Sequence, residues 1–364
     1  MRILWLDAFH AGSHRSVAAG YAAHSRHAVT VLGMDAKGGW RWRMRGGAVS
    51  FAEQIHTRWG DTPLDTLFDV LVVTDMLDVA TLLGFLRRVI GSVRVVVYMH
   101  ENQLVYPLPP GRTRDLHWAW INYTTMLAAD RVVFNSAFHR DVVLAALPGL
   151  PKRFHDYHEL QAVARIAPKC EILYPGIDLR RFDGPAVPPR DGPRTILWNS
   201  RWDYDKQPTV FFAAMEALIA AGADVRLIVC GEYVDQGNAE FAGYRERLAP
   251  YALHWGYVPD AALYRDLLRQ ADIVVSTAIQ EFFGIAVIEA VYCGAVPVLP
   301  ERLAYPELLP REYHADLLYP DDDALVAQLL HVLAVYDQID RAALQRWASR
   351  FDWQTVIATY DKVI

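Results

Sequence analysis

The chain has 364 residues, of which 53% are hydrophobic and 21% are charged, so it is long enough for two domains with separate cores and unlike a disordered chain. No apolar run is long enough for a transmembrane helix, the N-terminus MRILWLDAFHAG lacks the apolar core of a secretory signal, and three widely spaced cysteines fit no disulfide or zinc framework. These features predict a cytoplasmic protein.

Charge is divided unevenly along the chain. Residues 1–190 carry 22 Lys and Arg against 17 Asp and Glu, a balance of +5, whereas residues 191–364 carry 14 against 25, a balance of −11. Such a split favours different partners for the two halves. Two domains that merely differ in isoelectric point would show the same division of charge. Charge alone therefore does not establish that the two halves have different partners.

Short apolar segments in the first half have the composition of strands buried on both faces. They are residues 2–9, 28–33, 70–75, 94–100, 131–136 and 170–175. Helical patterns lie between them, as at 78–90 and 117–129. Alternation of this kind predicts an α/β fold with a parallel, doubly wound sheet.

A charged stretch rich in proline and glycine, residues 180–194, indicates a linker, and the strand pattern then restarts. The later strands are predicted at 195–200, 225–231, 252–258, 272–277 and 295–300. We therefore expect two Rossmann-like domains, 1–184 and 185–364, facing each other across a cleft, with the last helix a candidate to pack back on the first domain. Ligands of such sheets bind at the carboxyl ends of the strands.

The first strand is followed by DAFHAGSHRSV, residues 7–17. Gly12 would let a phosphate approach the backbone, and with Ser13 it precedes a helix whose N–H groups suit an anion. An ordinary strand-to-helix turn capped by Ser13 explains the segment equally well.

The first strand of the second half is followed by WNSRWDYDKQP, residues 198–208. Arg201 and Lys206 lie five residues apart at the carboxyl end of that strand, where two cations suit a diphosphate. The alternative is a surface pair neutralised by Asp203 and Asp205.

The segment 276–300 places Glu281 in a loop and Glu289 in the helix that follows. Backbone N–H groups of Phe283, Gly284 and Ile285 are placed to hold a phosphate at the start of that helix. Glu289 lies in an apolar helix and needs a partner, either a ribose diol or an arginine.

Together the glycine-containing first loop, R-x4-K and E-x7-E resemble retaining glycosyltransferases of the two-domain GT-B type, which use nucleotide sugars. The resemblance implies that Arg201 and Lys206 hold the donor diphosphate, Glu281 lies by the transferred sugar, and Glu289 binds the nucleotide ribose. It also implies that no metal or other cofactor is needed.

Further motifs narrow the resemblance to the tRNA-queuosine mannosyltransferases. They are DAFHAGSH (7–14), KGGWRWRMRGGAVSFAEQI (37–55), MHENQLVYP (99–107), LHWGYVP (253–259) and EFFGIAVIEAVYCGAVPVLP (281–300). This family moves mannose from GDP-mannose onto the cyclopentenediol of queuosine in the tRNA anticodon. Mannose itself is implied by resemblance alone. A GT-B enzyme with a lipid or polysaccharide acceptor, or a non-catalytic nucleotide-sugar or RNA-binding protein, are the alternatives.

The resemblance gives a partner to the basic, aromatic segment at 37–47, where phosphates would meet cations and unpaired bases would meet indole rings. The predicted RNA contacts here are Lys37, Trp40, Arg41, Trp42, Arg43 and Arg45, and Arg112 and Arg114 add charge in the same half. Alternatively, the tryptophans pack on the domain and the arginines are solvated.

The strand 94–100 ends at His100, the first residue of HENQL. In the related glycosyltransferases a histidine at this place lies by the donor sugar and the acceptor, which implies that His100 positions the reacting groups. Asn102, Gln103 and Tyr106 are candidates to contact queuosine.

Overall fold

The computed structural model describes residues 1–36, 39–185, 192–231 and 239–364, the side chains of 239 and 240 excepted. Within these residues the chain forms two units, residues 1–177 with 353–364, and residues 178–352. The expected division at 184–185 therefore falls inside the second unit. The physical reason lies in residues 178–184, since Leu179 donates its backbone N–H to the Asp352 carboxylate and Arg181 binds Glu289.

All eleven strands expected from the sequence are present at the expected places among the described residues. The strands are β1 Arg2–His10, β2 Ala28–Asp35, β3 Val70–Thr74, β4 Arg94–Met99, β5 Arg131–Phe134, β6 Cys170–Ile172, β7 Arg194–Asn199, β8 Val225–Cys230, β9 Ala252–Gly256, β10 Ile273–Val275, β11 Val296–Pro300 and β12 Leu318–Tyr319. The two-residue β12 was not foreseen, because two residues carry no periodicity.

Helices connect these strands. They are α1 Gly12–His24, α2 Trp40–Trp59, α3 Val79–Leu86, α4 Leu116–Ala128, α5 Ala137–Ala146, α6 Leu160–Ala164, α7 Pro208–Ala220, α8 Ala239–Leu248, α9 Ala261–Gln270, α10 Ile285–Tyr292, α11 His314–Leu317, α12 Leu325–Val335, α13 Arg341–Ala348 and α14 Trp353–Val363. The helix α2 contains residues 40–47 of the basic, aromatic segment, whose arginines and glycines had concealed its helical period.

The sheet of the first unit is buried on both faces, as its apolar strands predict. In β1, Ile3 and Trp5 belong to one hydrophobic cluster and Leu4 and Leu6 to the other. The first cluster also contains residues of α1 and α14, so the last helix completes one face of this unit. The second is covered mainly by α2 to α5.

Each sheet has a point at which its strand order reverses. The described strands run β2-β1-β3-β4-β5-β6 in the first unit and β12-β11-β10-β7-β8-β9 in the second, and all of their pairings are parallel. The switch points lie between β1 and β3 and between β7 and β10. Because connections leave such neighbouring strands in opposite directions, their carboxyl ends open a crevice for a ligand.

Candidate active site

A cavity of about 420 Å³ opens at the switch point of the second unit. Its volume is within the range of small-molecule sites. It is lined by Asn199, Ser200, Arg201, Lys206, Cys230, Gly231, Tyr257, Val258, Tyr264, Glu281 and Ala286. The structure thus brings Arg201, Lys206 and Glu281, three of the predicted donor-side residues, to one cavity.

Lys206 is the most tightly held cation of this cavity among the described residues. Its Nζ donates to the Gln280 carbonyl at 2.7 Å and lies 3.2 Å from the Glu281 carboxylate and 3.3 Å from that of Asp205. Burial opposes the charge, but Glu281 and Asp205 outweigh it and raise the pKa of Lys206. The ammonium therefore stays charged at neutral pH.

Arg201 is more exposed than Lys206. Its side chain is 55% exposed, and its Nη1 lies 3.8 Å from the Asp203 carboxylate, a weak contact. A guanidinium can bind a phosphate through two parallel N–H donors. The pairing of Arg201 with Asp203 is the one that the alternative interpretation foresaw.

Hydrogen bonds join the loop after β7 to the loop after β10. The Ile279 N–H donates to the Asp205 carbonyl at 2.9 Å, and the Thr277 hydroxyl donates to the Lys206 carbonyl at 2.8 Å. Because both loops are fixed to each other, Lys206 and Glu281 keep one mutual geometry. A site of this kind is organised before a ligand arrives.

The helix α10 begins directly after Gly284, whose φ of 106° a residue with a side chain rarely adopts. Phe283 is buried and packs edge-on against Phe351, with 5.1 Å between ring centroids. Ile285 is half-buried, and Ala286 is the residue of the first turn that lines the cavity. The phosphate site predicted at 283–285 thus lies at the N-terminus of a helix, as expected. The residue of this helix that lines the cavity is Ala286.

Glu289 is buried and has partners at both oxygens. Oε1 accepts from Arg181 at 2.6 Å and Oε2 from the Tyr264 hydroxyl at 2.7 Å, while Asn199 donates to Tyr264. Burial raises the pKa of Glu289, which Arg181 and Tyr264 partly offset. The arginine partner foreseen as the alternative to a ribose is therefore present. Tyr264 lines the cavity, so Glu289 reaches that space through a hydrogen-bonded neighbour.

At the switch point of the first unit, a buried carboxylate holds two histidines. Asp7 accepts from His10 Nδ1 at 2.9 Å and from His14 Nδ1 at 3.2 Å. Burial favours the neutral acid, but these hydrogen bonds outweigh it and lower the pKa of Asp7. Burial lowers the pKa of His14, and Asp7 and Asp75 more than restore it, so the net shift is upward.

The His100 ring stacks on His14, with 3.8 Å between centroids and 21° between planes. Burial lowers the pKa of His100 well below its ordinary value, and its buried Nε2 has no hydrogen-bond partner among the described residues. Asp75 accepts the His100 backbone N–H at 2.8 Å, and burial raises the pKa of this carboxyl to about 7. A neutral His100 beside a readily protonated His14 can orient a hydroxyl.

The structure places Gly12 and Ser13 in the exposed first turn of α1. Gly12 has a φ of 49° and no atom where a Cβ would lie, so the backbone is open to an approaching group. The residue before the helix is Ala11, and no side chain caps this end. The interpretation of Ser13 as a cap is therefore wrong.

The loop after β4 is fixed by its own side chains. Asn102 is fully buried, its Nδ2 contacts His139 Nε2 at 3.0 Å, and its Oδ1 accepts from Leu104 and Val105. Asn102 therefore shapes the loop instead of presenting its amide. Gln103, half-buried, donates to Glu101 at 2.8 Å.

Arg114 closes this loop from the other side. It donates to the carbonyls of Gln103 and Tyr106, while Tyr106 itself is half-buried and Arg112 is exposed. Arg114 thus has a structural role in addition to its charge.

The predicted RNA segment is the first turns of α2, except for Lys37, which lies outside the described residues. Trp42 is 71% exposed, as stacking on a base would require. Trp40 instead packs against the core and meets Trp118 edge-on, at 5.5 Å between centroids. The packed-tryptophan alternative thus holds for Trp40 and not for Trp42.

The arginines of this segment also differ in their contacts. Arg41 is exposed with its guanidinium 5.0 Å from the Trp40 ring, Arg43 donates to the Asp35 carbonyl, and Arg45 contacts His117 at 2.9 Å. Arg41 therefore lies against an aromatic ring, whereas Arg43 and Arg45 each make a hydrogen bond.

Sequence reasoning missed several residues of both sites. Asp75 and His139 belong to none of the quoted motifs, and His14 lies in DAFHAGSH but was given no role; the available signal was that each follows or flanks a predicted strand end. Arg181 and Tyr264 reach Glu289 from distant segments, which a local pattern does not reveal.

The part of the chain that the structure describes contains neither a candidate membrane span nor a candidate metal site. No helix in that part of the chain has the length and apolarity needed to cross a bilayer. In the same residues, no group of three or more His, Cys, Asp or Glu side chains is arranged to hold a metal ion.

Comparison with known families matches each unit separately. Residues 2–177 match the family model for the N-terminal domain of tRNA-queuosine alpha-mannosyltransferases, and residues 193–334 match the model for glycosyl transferases group 1. A tRNA-queuosine alpha-mannosyltransferase of Drosophila melanogaster is 32% identical over 336 residues, covering 90% of this chain and 85% of its own.

Other relatives and solved structures extend the comparison. A GDP-mannose:cellobiosyl-diphosphopolyprenol alpha-mannosyltransferase of Xanthomonas oryzae pv. oryzae is 25% identical over 201 residues, covering 54% of this chain and 52% of its own. A glycosyltransferase of Rickettsia africae superimposes with a TM-score of 0.69 and a sucrose-phosphate synthase of Thermosynechococcus elongatus with 0.71. Both alignments cover 100% of this chain and at least 97% of the other, at 14% and 15% identity. These likenesses establish the GT-B fold.

Proposed function

Because the chain belongs to the tRNA-queuosine alpha-mannosyltransferase family, we propose that it transfers mannose from GDP-mannose to the cyclopentenediol of queuosine in a tRNA anticodon. That it is a mannosyltransferase follows from the family. The donor, the acceptor and the stereochemistry are the proposal. The observation that carries it is the match of the entire 2–177 segment to a domain specific to that family, since the second unit matches glycosyltransferases in general.

The second unit supplies the donor side of the proposed reaction. Arg201 and Lys206 line one cavity with the first turn of α10, so two cations and a helix N-terminus meet where a diphosphate would lie. These groups stabilise the negative charge that develops on the departing GDP. We propose that this charge stabilisation needs no metal ion.

The proposed chemistry needs no protein nucleophile. A queuosine hydroxyl oxygen forms a bond to the anomeric carbon on the face from which the diphosphate leaves, and the bond from that carbon to the β-phosphate oxygen breaks. The hydroxyl proton passes to the departing phosphate oxygen, so the configuration is retained. Glu281, hydrogen-bonded to Lys206, lies on this cavity and orients the transferred sugar.

The first unit supplies the acceptor side. His100 is held neutral by burial and has an unpartnered Nε2, which makes it a hydrogen-bonding group for a sugar or diol hydroxyl. Trp42 and Arg41 are exposed at the start of α2, where they would stack on a base and neutralise a phosphate of the tRNA.

Mass spectrometry of tRNA nucleosides tests the proposal. Queuosine-containing tRNA incubated with the protein and GDP-mannose should yield queuosine heavier by one hexose, and UDP-glucose or UDP-galactose in its place should not. Glu281→Gln protein is the matched control, because it preserves size and removes the carboxylate. GDP release without a heavier queuosine would retain the glycosyltransferase and refute the tRNA acceptor.

A further inference from the structure

Aromatic side chains are exposed beside the start of α4, outside the site described above. Trp120 is 37% exposed, Phe154 is 45% exposed, and Tyr157 is 85% exposed. The rings of Trp120 and Phe154 meet edge-on with centroids 5.1 Å apart. Exposed aromatic rings this close together are typical of a surface that binds a partner.

Basic residues accompany these rings. Lys152, Arg153 and His155 are exposed in the same segment, whose acidic residues are Asp156 and Glu159. Tyr157 has a φ of 53°, so the segment turns sharply there and its ring is held out from the surface. Positive side chains next to flat rings match the two chemistries of a nucleotide, a phosphate and a base.

The surface continues into the loop that follows β4. Burial and then the like charge of Arg153 lower the pKa of Arg114. Arg114 in turn donates to the carbonyls of Gln103 and Tyr106. A polyanion that contacts Arg153 would therefore also stabilise the charge of Arg114, which holds this loop.

The opposite end of the surface reaches α2. His117, one turn before Trp120 in α4, lies 2.9 Å from Arg45 Nε, and the Arg45 guanidinium lies 5.3 Å from the Trp118 ring. Cations and aromatic rings thus alternate from the start of α2, across α4, to residues 152–157.

We propose that Lys152, Arg153, Trp120, Phe154 and Tyr157 form an RNA-binding surface, here named the α4 surface, for unpaired nucleotides next to the modified base. This inference rests on the proposed function and specifies how the RNA is held. Single-stranded RNA is favoured because its bases are free to stack on rings, whereas paired bases are not. A charged surface without rings would suit only the backbone.

The test compares two double charge reversals of equal size in the full-length protein. Lys152→Glu with Arg153→Glu alters the α4 surface, and Arg87→Glu with Arg88→Glu alters an exposed basic pair after α3. The first pair should weaken binding of queuosine-containing tRNA roughly tenfold or more and lower the slope of log K against log salt concentration by about 2, because two phosphate contacts are lost. The second pair should leave both near wild type.

Tyr157→Asn tests stacking separately. Asparagine tolerates the left-handed backbone at this position, so the ring is removed without added strain. The tRNA dissociation constant should rise about fivefold or more, with the salt slope unchanged. Equal tRNA binding by the two double variants, with Tyr157→Asn at wild-type affinity, would overturn the α4 surface.

The failure of this inference is distinguishable from the failure of the proposed function. If the wild-type protein adds a hexose to queuosine in tRNA and the α4 variants do so equally at low tRNA concentration, the surface is refuted and the function stands. If the wild-type protein modifies no tRNA, the function itself fails.

Discussion

Replacing Lys206 with methionine separates the two cations of the donor cavity. The methionine keeps the length and most of the volume of the side chain but removes its charge. In the wild type, Lys206 Nζ lies 3.2 Å from the Glu281 carboxylate and 3.3 Å from that of Asp205, and 13% of its side chain is exposed. The variant therefore leaves two neighbouring carboxylates without their cation.

The expected cost follows from these distances. At an effective dielectric constant of about 20, each contact contributes roughly 5 kcal/mol of attraction, from which the desolvation of the ammonium is subtracted. Removing one partner of a buried ion pair costs about 3–5 kcal/mol, and the 27% exposure of the Glu281 side chain favours the lower end. About 3 kcal/mol corresponds to a melting shift of roughly 6–12 °C for a unit of this size.

Thermal unfolding and single-turnover transfer are measured on the same protein preparations. Arg201→Ala is the matched control, because its side chain is largely exposed and removal should leave the melting temperature nearly unchanged. Both variants should lower the rate of transfer about 10²- to 10³-fold, since each removes one group that stabilises the leaving diphosphate. Equal melting temperatures for the two variants would refute the reasoning on Lys206, and undiminished transfer in either would refute the diphosphate assignment.

Three further predictions concern the remaining groups. Glu289→Gln should raise the dissociation constant of GDP severalfold, because Tyr264, which lines the cavity, loses its charged acceptor; isothermal titration measures it, and an unchanged constant would contradict the link. Burial raises the pKa of Asp75 from 3.8 to about 7, so the folded state binds the proton more tightly and loses stability as pH rises from about 4 to 7. Asp75→Asn removes this loss, and the variant's melting temperature relative to wild type should therefore increase over that range; a difference independent of pH would disprove it. Arg41→Glu should weaken tRNA binding in a filter assay and leave GDP binding intact, whereas Arg43→Glu also disturbs a backbone hydrogen bond; loss of both ligands from Arg41→Glu would mean that the residue is structural.

The sequence was most informative about the second unit, for a physical reason. Its strands are apolar runs that end in polar loops, and the cations and carboxylates that bind ligands follow β7 and β10 within a few residues. Once parallel order is inferred, those loops must meet at one edge of the sheet. Arg201, Lys206 and Glu281 accordingly line one cavity there.

Sequence reasoning did not identify contacts between residues that are far apart in the chain. Glu289 was assigned to a ribose, and nothing near it in the chain indicated Arg181, which comes from the segment expected to be a linker. Asparagine is a residue type that often binds ligands, but the Asn102 amide already contacts His139 and accepts a hydrogen bond from the loop backbone. Which polar groups remain available depends on packing, and packing is not a local property of the sequence.

The two switch points differ in the charge of their central groups, and this difference bears on how the proposed reaction is divided between the two units. In the second unit, Lys206 is kept cationic by two carboxylates beside an open cavity, as suits a group that stabilises an anion. In the first, burial keeps His100 neutral while Asp7 favours protonation of the stacked His14. Positive charge at His100 would repel the proton that the acceptor hydroxyl must release, whereas a neutral ring accepts its hydrogen bond. The unit proposed to bind the donor thus carries fixed charge, and the unit proposed to bind the acceptor carries a neutral hydrogen-bonding group held beside a charged one.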